Sequence, residues 1–204
     1  MATVYRTTMK PTKLELLTDW LPRQSWYAGG AEAPDLSRAG GFRLDDPEGA
    51  VGIEFMVAVD AAGPEPVAYL VPLSYRGAPL EGAPDEALIG TSEHGVLGTR
   101  WIYDGVHDPV LMGQLHALLR GEATPQQQSV SDTPDPTVTV HGTTLGTGAG
   151  PDAGAEAAAG AEVHVHRVLA VAETSEESAA CVIAGWTWPN GMAARGVFAT
   201  VTPG

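Results

Sequence analysis

Residues 51–75 read VGIEFMVAVDAAGPEPVAYLVPLSY, and this stretch decides the fold of the chain. Apolar side chains alternate with other residues from Val51 to Val59, which predicts a β-strand with one apolar face. A turn-forming run follows, and the alternation then resumes over residues 66–75. We therefore expect an antiparallel hairpin with a long loop. Because Pro72 has no amide donor, we expect it at a sheet edge or a bulge.

One helix is predicted before this hairpin and another after it. A Thr-x-x-Glu capping box over residues 12–15 begins the first helix, leucines at helical spacing continue it, and Pro22 ends it. Asp108 and Pro109 begin the second helix, and Gly121 provides its left-handed end.

The rest of the chain predicts further strands and a linker. We expect residues 76–95 to be irregular, with one helical turn near Asp85, followed by a strand over residues 96–103. Residues 122–161 are rich in Gln, Thr, Pro, Gly and Ala, which indicates a linker or long loop, most clearly over Gly146–Gly160. Beyond it, one strand is expected to contain Val163, Val165, Val168 and Val171, and residues 180–188 and 192–201 should form a hairpin around Pro189-Asn190-Gly191.

These elements give an α+β fold class: an antiparallel sheet with flanking helices, followed by a β-rich C-terminal extension. The predicted boundaries are residues 1–121 for the α+β domain, 122–161 for the linker and 162–204 for the extension. The chain has 204 residues, which is enough for one ordinary domain or two small ones.

Charge and composition exclude several classes of partner. Eleven Lys and Arg residues stand against 25 Asp and Glu residues, giving a net charge of −14, so we expect neither nucleic acid nor an anionic membrane as a partner. The only lysines are Lys10 and Lys13. The N-terminal residues do not read as a secretory signal, and the single cysteine, Cys181, cannot form an internal disulfide, so we expect a cytoplasmic protein.

No motif assigns a catalytic, cofactor-binding or metal-binding residue. The sequence contains neither a P-loop nor a strand-linked G-x-G-x-x-G, and its serines lack a nucleophile-elbow context. His164 and His166 share one strand face without an identifiable third ligand, which favours a solvated face over a metal site. Cys181 lies in an apolar strand and is interpreted as structural. Asp45 and Asp46 adjoin Pro47 in a turn-like stretch, which favours turn residues over a pair of catalytic acids.

Aromatic residues supply the candidate partner or ligand surface. Trp20 is expected in the core, whereas Arg23, Trp26 and Tyr27 belong either to the core or to a binding surface, since Trp, Tyr and Arg dominate binding hot spots. The other candidates for this surface are Trp101, Trp186 and Trp188.

The segment from Asp19 to Gly29, DWLPRQSWYAG, resembles the opening of the N-terminal cap of actinobacterial maltokinases, which begins with a comparable W-L-x-x-Q-x-W-[YF] stretch. The resemblance continues through the hairpin, Ala87-Leu88-Ile89-Gly90, the Tyr103-Asp104-Gly105 turn and the second helix, and covers roughly residues 3–121. It implies a cystatin-like topology for the sheet. It also implies that residues 122–204 could correspond to the small β subdomain that follows the cap.

The kinase motifs of that family are not matched. Maltokinases have a lysine-bearing strand for ATP, an H-G-D catalytic loop and a D-x-E metal motif after the cap, whereas this chain has no lysine beyond Lys13, and His141-Gly142-Thr143 lacks the aspartate. We therefore expect a free-standing, non-catalytic cap-like protein that binds an enzyme of trehalose, maltose 1-phosphate and α-glucan metabolism. The alternative is a protein that binds a sugar or metabolite by tryptophan stacking.

Overall fold

The structure is a computed structural model that describes residues 9–30, 32–130, 132–142, 162–172 and 180–202. The two α-helices of these residues are α1 (Lys13–Trp20) and α2 (Pro109–Leu119), and short 3₁₀ helices cover Leu21–Arg23, Asp85–Ala87 and Gly105–His107. The strands are β1 (Met9–Lys10), β2 (Leu36–Leu44), β3 (Gly52–Asp60), β4 (Val67–Arg76), β5 (Leu88–His94), β6 (Gly98–Asp104), β7 (Thr139–Gly142), β8 (Glu162–Val165), β9 (Ala180–Thr187) and β10 (Ala193–Thr202).

All ten of these strands belong to one antiparallel sheet. Its order is β1-β5-β6-β4-β3-β2-β9-β10-β8, and β7 pairs with β9 beside this path. The expected α+β class with an antiparallel sheet and flanking helices is therefore confirmed. The predicted hairpin is β3 and β4, which pair without a register shift from Gly52 opposite Tyr75 to Asp60 opposite Val67.

Strand β3 is buried on both faces, so the prediction of a single apolar face was wrong. Ile53, Phe55, Val57 and Val59 belong to a hydrophobic cluster with the leucines of α2, which we call the α2-side cluster. Met56 and Ala58 point the other way and pack in a second cluster with Leu17, Trp20 and Leu21, which we call the α1-side cluster. Each helix covers one face because residues alternate between the two faces of a strand.

Both helices begin as their capping residues predicted. The Thr12 hydroxyl accepts a hydrogen bond from Glu15 N, and the Glu15 carboxylate accepts one from Thr12 N. The Asp108 carboxylate accepts from Val110 N at the start of α2, and Gly121 has φ +74° just after its end. Helix α2 places four buried leucines in the α2-side cluster: Leu111, Leu115, Leu118 and Leu119.

The sheet curls until strand β4 meets the chain that follows β8. Leu70 N donates to Arg167 O at 2.9 Å, and Leu169 N donates to Ala68 O at 2.8 Å. Strands β4, β3, β2, β9 and β10 and the segment 162–169 thus form a closed ring around the α2-side cluster. An Arg167–Asp104 ion pair of 2.7 Å joins this segment to the end of β6.

Pro72 lies in the interior of the sheet, at neither an edge nor a bulge, so its predicted position was wrong. Leu70 directs its amide away from β3 toward Arg167, and Pro72, two residues further on, faces the same edge of β4. Strand β6 begins to pair with β4 only at Leu73, opposite Asp104. Pro72 therefore faces the gap between two successive partners, where a missing amide leaves no hydrogen bond unmade.

The C-terminal strands share a core with the N-terminal part of the chain. Phe42 stacks on Phe198 with ring centroids 6.1 Å apart, and both residues belong to the α2-side cluster with Trp186 and Val201. Strand β7 lies within the expected linker and pairs with β9, so that prediction missed a strand. The segment Gly146–Gly160 lies outside the described residues. The three domain boundaries stay a prediction.

Two further details differ from the expectations for the strands. Residues 88–94 form β5 and pair with β6, although the sequence predicted an irregular segment there. The strand expected to contain Val163 and Val165 ends at Val165, and Val168 and Val171 are exposed. The hairpin of β9 and β10 turns at Pro189-Asn190-Gly191 as predicted, with Gly191 at φ +84°.

We predict that the Arg167–Asp104 ion pair is needed for ring closure. Asp104 is 3% exposed, so Asp104→Asn leaves the largely buried Arg167 guanidinium without its counter-charge and should lower the free energy of unfolding by about 3 kcal/mol. Urea unfolding followed by circular dichroism measures this change. Glu122→Gln is the matched control, because it removes the carboxylate of the more exposed Arg120–Glu122 pair and should lower the free energy of unfolding far less than Asp104→Asn does. Equal costs for the two variants would contradict the assigned role.

Candidate functional site

The structure does not gather the candidate aromatic residues on one surface. Trp26 and Tyr27 pack on the α1-side cluster, whereas Trp186 belongs to the α2-side cluster and Trp188 packs against it. Trp101 is half-buried on β6 opposite Arg76 and Thr91. Arg23 is exposed, and its Nε donates to Asp19 O at 3.0 Å.

Trp26 and Tyr27 hold the segment after α1 against the sheet. The Trp26 ring meets Trp20 edge-on at 5.8 Å, and Tyr27 stacks on Tyr69 of β4 at 5.5 Å between ring centroids. The Tyr27 hydroxyl donates to Asp60 Oδ2 at 2.8 Å. Burial, followed by the hydrogen bond and the charge of Asp60, raises the pKa of Tyr27 to about 12. Tyr27 is thus a neutral donor that links this segment to the end of β3.

The Trp26 ring is also covered by a cation. The Arg167 guanidinium lies 5.0 Å from the Trp26 ring centroid, which is within the range of a cation–π interaction. Arg167 also pairs with Asp104, so its position over the ring is fixed from two directions. A sugar that stacked on this side of Trp26 would have to displace Arg167.

Trp186 is 3% exposed, so it is not part of an accessible surface. The centroid of its ring lies 5.7 Å from that of Trp188 and 6.4 Å from that of Phe198. A Cβ added at Gly196 would lie 3.0 Å from an atom of the Trp186 ring. The buried position follows from the alternation along β9, where Ala184 and Trp186 face the α2-side cluster. Trp188, beyond the end of the strand, stays half-buried.

An open cleft lies where the N-terminus of α1 meets β2 and β3. Its volume is about 340 Å³. The residues that line it are Met9, Thr12, Lys13, Leu14, Arg38 and Met56. This cleft combines three apolar side chains with two cationic ones in a protein whose net charge is −14.

A buried carboxylate organises the polar side of this cleft. Glu54 is 4% exposed and lies two residues before Met56, on the face of β3 that α1 covers. Its Oε2 accepts from Lys13 Nζ at 2.5 Å and from the Tyr75 hydroxyl at 2.6 Å, and its Oε1 accepts from Gln128 Nε2 at 3.0 Å. Three donors therefore offset the cost of burying this charge.

The charges around Glu54 keep it ionised. Burial by itself raises the pKa of the Glu54 carboxyl, but the Lys13 ammonium and the hydrogen bonds from Lys13 and Tyr75 outweigh burial, so the pKa lies below its usual 4.5. The pKa of Tyr75 is raised by burial and by Glu54. At neutral pH the site therefore contains the Glu54 carboxylate beside the neutral phenol of Tyr75.

Gln128 extends this network to Arg38. Its Oε1 accepts from Arg38 Nε at 3.2 Å and from Nη2 at 2.7 Å, while its Nε2 donates to Glu54. A Cβ at Gly41 would lie 1.9 Å from Phe55 O and 3.0 Å from Gln128 Nε2. Only glycine fits at this position, where φ is +113°, and its small size leaves room for the Gln128 amide beside β2.

The other residues weighed from the sequence have structural surroundings. Asp46 accepts hydrogen bonds from the amides of Glu48, Ala50 and Val51, which confirms the turn interpretation. Cys181 is buried in β9. The rings of His164 and His166 are 5.0 Å apart, and no group of three potential metal ligands occurs within the described ranges.

The fold and the cleft define a mainly antiparallel α+β domain with a small polar and apolar cleft beside its first helix. Residues 20–108 match the family model of the maltokinase N-terminal cap domain. This part of the chain is therefore similar to a maltokinase N-terminal cap, which confirms the resemblance seen in the sequence. The match is shorter than the expected residues 3–121 and covers somewhat less than half of the chain. A search of curated proteins found no match. None of the helices that the structure describes is long and apolar enough to cross a membrane.

Sequence reasoning missed the Glu54 site. Glu54 is a charged residue in the middle of an apolar strand, and this was the available sign that a buried partner must exist. Lys13 was seen only as one of two lysines, and Gln128 was placed in a linker. Arg38, Glu54 and Tyr75 lie within the residues matched to the cap, whereas Lys13 and Gln128 lie outside them.

We predict that Glu54 contributes acid-sensitive stability. Because its pKa is lower in the folded protein than its usual 4.5, folding is stabilised above that pH, and this contribution is lost as the pH falls through the lower folded pKa. Glu54→Gln should remove this part of the profile, so stability below pH 4.5 should fall less steeply than in the unmodified protein. Urea unfolding at a series of pH values measures it, with Glu122→Gln at a more exposed pair as control. Parallel profiles for the Glu54 variant and the unmodified protein would contradict the prediction.

Proposed function

We propose that this protein is a non-catalytic, cap-like accessory protein that binds an enzyme of trehalose, maltose 1-phosphate and α-glucan metabolism. The observation that carries the proposal is the match of residues 20–108 to the maltokinase N-terminal cap. In a maltokinase such a cap is joined to catalytic lobes, so a surface suited to a catalytic partner is expected of this domain. A cytoplasmic location and a cystatin-like topology of the cap are part of the same proposal.

A non-catalytic role is supported by the position of the lysines, a residue type that could supply the cation needed for phosphoryl transfer. Such transfer requires a cation against the phosphates and acidic ligands for Mg²⁺. Lys13, the last lysine of the sequence, is paired with Glu54 beside α1. The protein is therefore proposed to act by binding.

A second candidate function is the binding of a small ligand, and the open cleft of about 340 Å³ favours it. The tryptophans proposed for stacking do not line this cleft, and Trp186 is buried. The cleft is therefore the place where this second function would be located.

We predict that Arg23 contributes to the partner surface. It is exposed and lies within the matched residues, and its side chain donates one hydrogen bond, to the Asp19 carbonyl, within the described part of the chain, so Arg23→Glu should leave the fold intact. The tagged full chain, used at low salt in a lysate of its native cell, should capture an enzyme that makes or uses maltose 1-phosphate. With the purified enzyme, Arg23→Glu should weaken binding by about tenfold or more, because arginines at interface centres are frequent hot spots.

Arg120→Glu is the control for this binding experiment. Arg120 lies at the end of α2, outside the matched residues, and its loss removes only a partly exposed pair with Glu122. This variant should bind as the unmodified protein does. Recovery of no carbohydrate enzyme would contradict the proposed function. Equal binding by both variants would contradict the role of Arg23 in the partner surface and leave the proposed function standing.

We also predict no kinase activity. The purified protein should show no Mg²⁺-dependent ATP consumption with maltose, glucose or glucosamine. Millimolar ATP should also leave the melting temperature unchanged, because a ligand far above its Kd must stabilise the folded state. Calorimetric melting and a coupled assay for ADP measure the two effects. Turnover that scales with protein after repurification would overturn the non-catalytic role.

A further inference from the structure

The geometry points to a binding site for a small organic anion, with a carboxylate or phosphate head and an apolar body, in the cleft between α1, β2 and β3. Lys13 and Arg38 would hold the head, Met9 and Leu14 would contact the body, and the buried Met56 would lie beneath them as the floor of the cleft. This site does not depend on the proposed accessory role, because its ligand is a small molecule and its test involves no partner protein.

Charge is the first argument for an anion. The protein has 25 acidic and 11 basic residues, so most of its surface repels anions. At the cleft the balance is reversed among the described residues, because Lys13, Arg38 and the nearby Arg43 stand against the carboxylates of Glu54 and of Glu15 beside Thr12. Arg38 and Arg43 each act to lower the pKa of Tyr75, as nearby positive charges do. The cleft therefore attracts anions.

The second argument is that both cations of the cleft are held in position. Glu54 binds Lys13 directly and binds Arg38 through Gln128, so one buried carboxylate orders two positive side chains. Arg38 donates only to the neutral Gln128 amide, and no ion pair between described residues includes it. The Lys13 side chain stays 28% exposed, so its ammonium can bind a second acceptor. Ordered cations lose less conformational entropy when an anion binds.

Size and lining define the class of ligand. About 340 Å³ is near the lower end of the range for small-molecule pockets, so the ligand is small. Two methionines and a leucine line the cleft beside the cations, and such side chains bind an apolar body better than a bare inorganic ion. A guanidinium binds carboxylate and phosphate oxygens with similar geometry, so the structure specifies a negatively charged head. The experiment below distinguishes a carboxylate from a phosphate.

The methionines provide the test. Met9 and Met56 line the cleft, whereas Met112 packs on the α2-side cluster and Met192 is exposed in the last hairpin. The full chain with ¹³C-labelled methionine methyl groups should be titrated with hexanoate, phenyl phosphate, inorganic phosphate and neutral hexanamide. We expect saturable shifts of Met9 and Met56, with Met112 and Met192 unchanged. Hexanoate or phenyl phosphate should bind at least about tenfold more tightly than hexanamide, and phenyl phosphate more tightly than inorganic phosphate.

Two variants connect binding to the cations. Arg38→Gln removes one charge from a side chain that makes no ion pair within the described part, and it should weaken binding of the tighter organic anion by about tenfold. Arg120→Gln is the matched control and should leave binding within about twofold. The Met112 methyl signal reports whether each variant keeps the packed core, so a loss of binding through unfolding is recognised.

The proposal is overturned by any of three results. They are the absence of saturable shifts at Met9 and Met56 with both organic anions, equal binding of hexanamide, and unchanged affinity in a folded Arg38→Gln variant. The stronger of the two organic anions identifies the head that the site prefers. If inorganic phosphate bound more tightly than phenyl phosphate, the proposal that the ligand has an apolar body would be wrong.

Discussion

The structure depends on the burial of β3 and β4 on both faces. Their large apolar side chains alternate between two clusters, so neither face can be left to water without a cost of about 25 cal/mol for each Å² of apolar surface. Helix α1 covers one face. Helix α2 and the C-terminal strands cover the other face, and the curl of the sheet closes the chain around the α2-side cluster. The positions of both helices follow from this requirement.

Glu54 is the exception in this apolar hairpin, and the surrounding elements are arranged to satisfy it. An ionised carboxylate can remain buried only if donors replace the water it has lost. The donors come from α1, from β4 and from the segment that follows α2, so one charge ties together parts of the chain that are far apart in sequence. The same arrangement places the Lys13 ammonium and, through Gln128, the Arg38 guanidinium at a cleft, so a structural requirement of the core determines the electrostatics of the surface.

Local chemistry made part of the fold predictable. The Thr12 and Asp108 caps, the β3–β4 hairpin and the turn at Gly191 each depend on residues adjacent in sequence, and all were predicted. Strand β5 was missed because its polar composition is set by its place next to the short edge strand β1 and beside β6. The edge prediction for Pro72 failed because it assumed one continuous partner along that side of β4.

The candidate site was less accessible to sequence reasoning. A tryptophan has the same appearance in a sequence whether it lies in a core or at a surface. Alternation places Trp186 and Trp188 on the same side of β9, and they differ because the strand ends at Thr187, between them. The cleft is lined by residues from β1, α1, β2 and β3, and its cations are connected through Gln128, which lies 74 residues beyond Glu54. No short spacing encodes such a contact. The isolated charge of Glu54 indicated that a partner was needed, but not which residue would supply it.

Ring closure has a consequence for the order in which the chain is synthesised. The edge of β4 that receives Arg167 and Leu169 emerges from the ribosome roughly 100 residues before them. Until those residues are made, Ala68 and Leu70 present unpaired backbone groups beside apolar side chains, and an open strand edge of this kind can pair with another nascent chain. Pro72 interrupts that edge because it offers no amide donor. The same residue that fits the gap in the finished ring therefore shortens the run of free hydrogen-bonding groups while the nascent protein is incomplete.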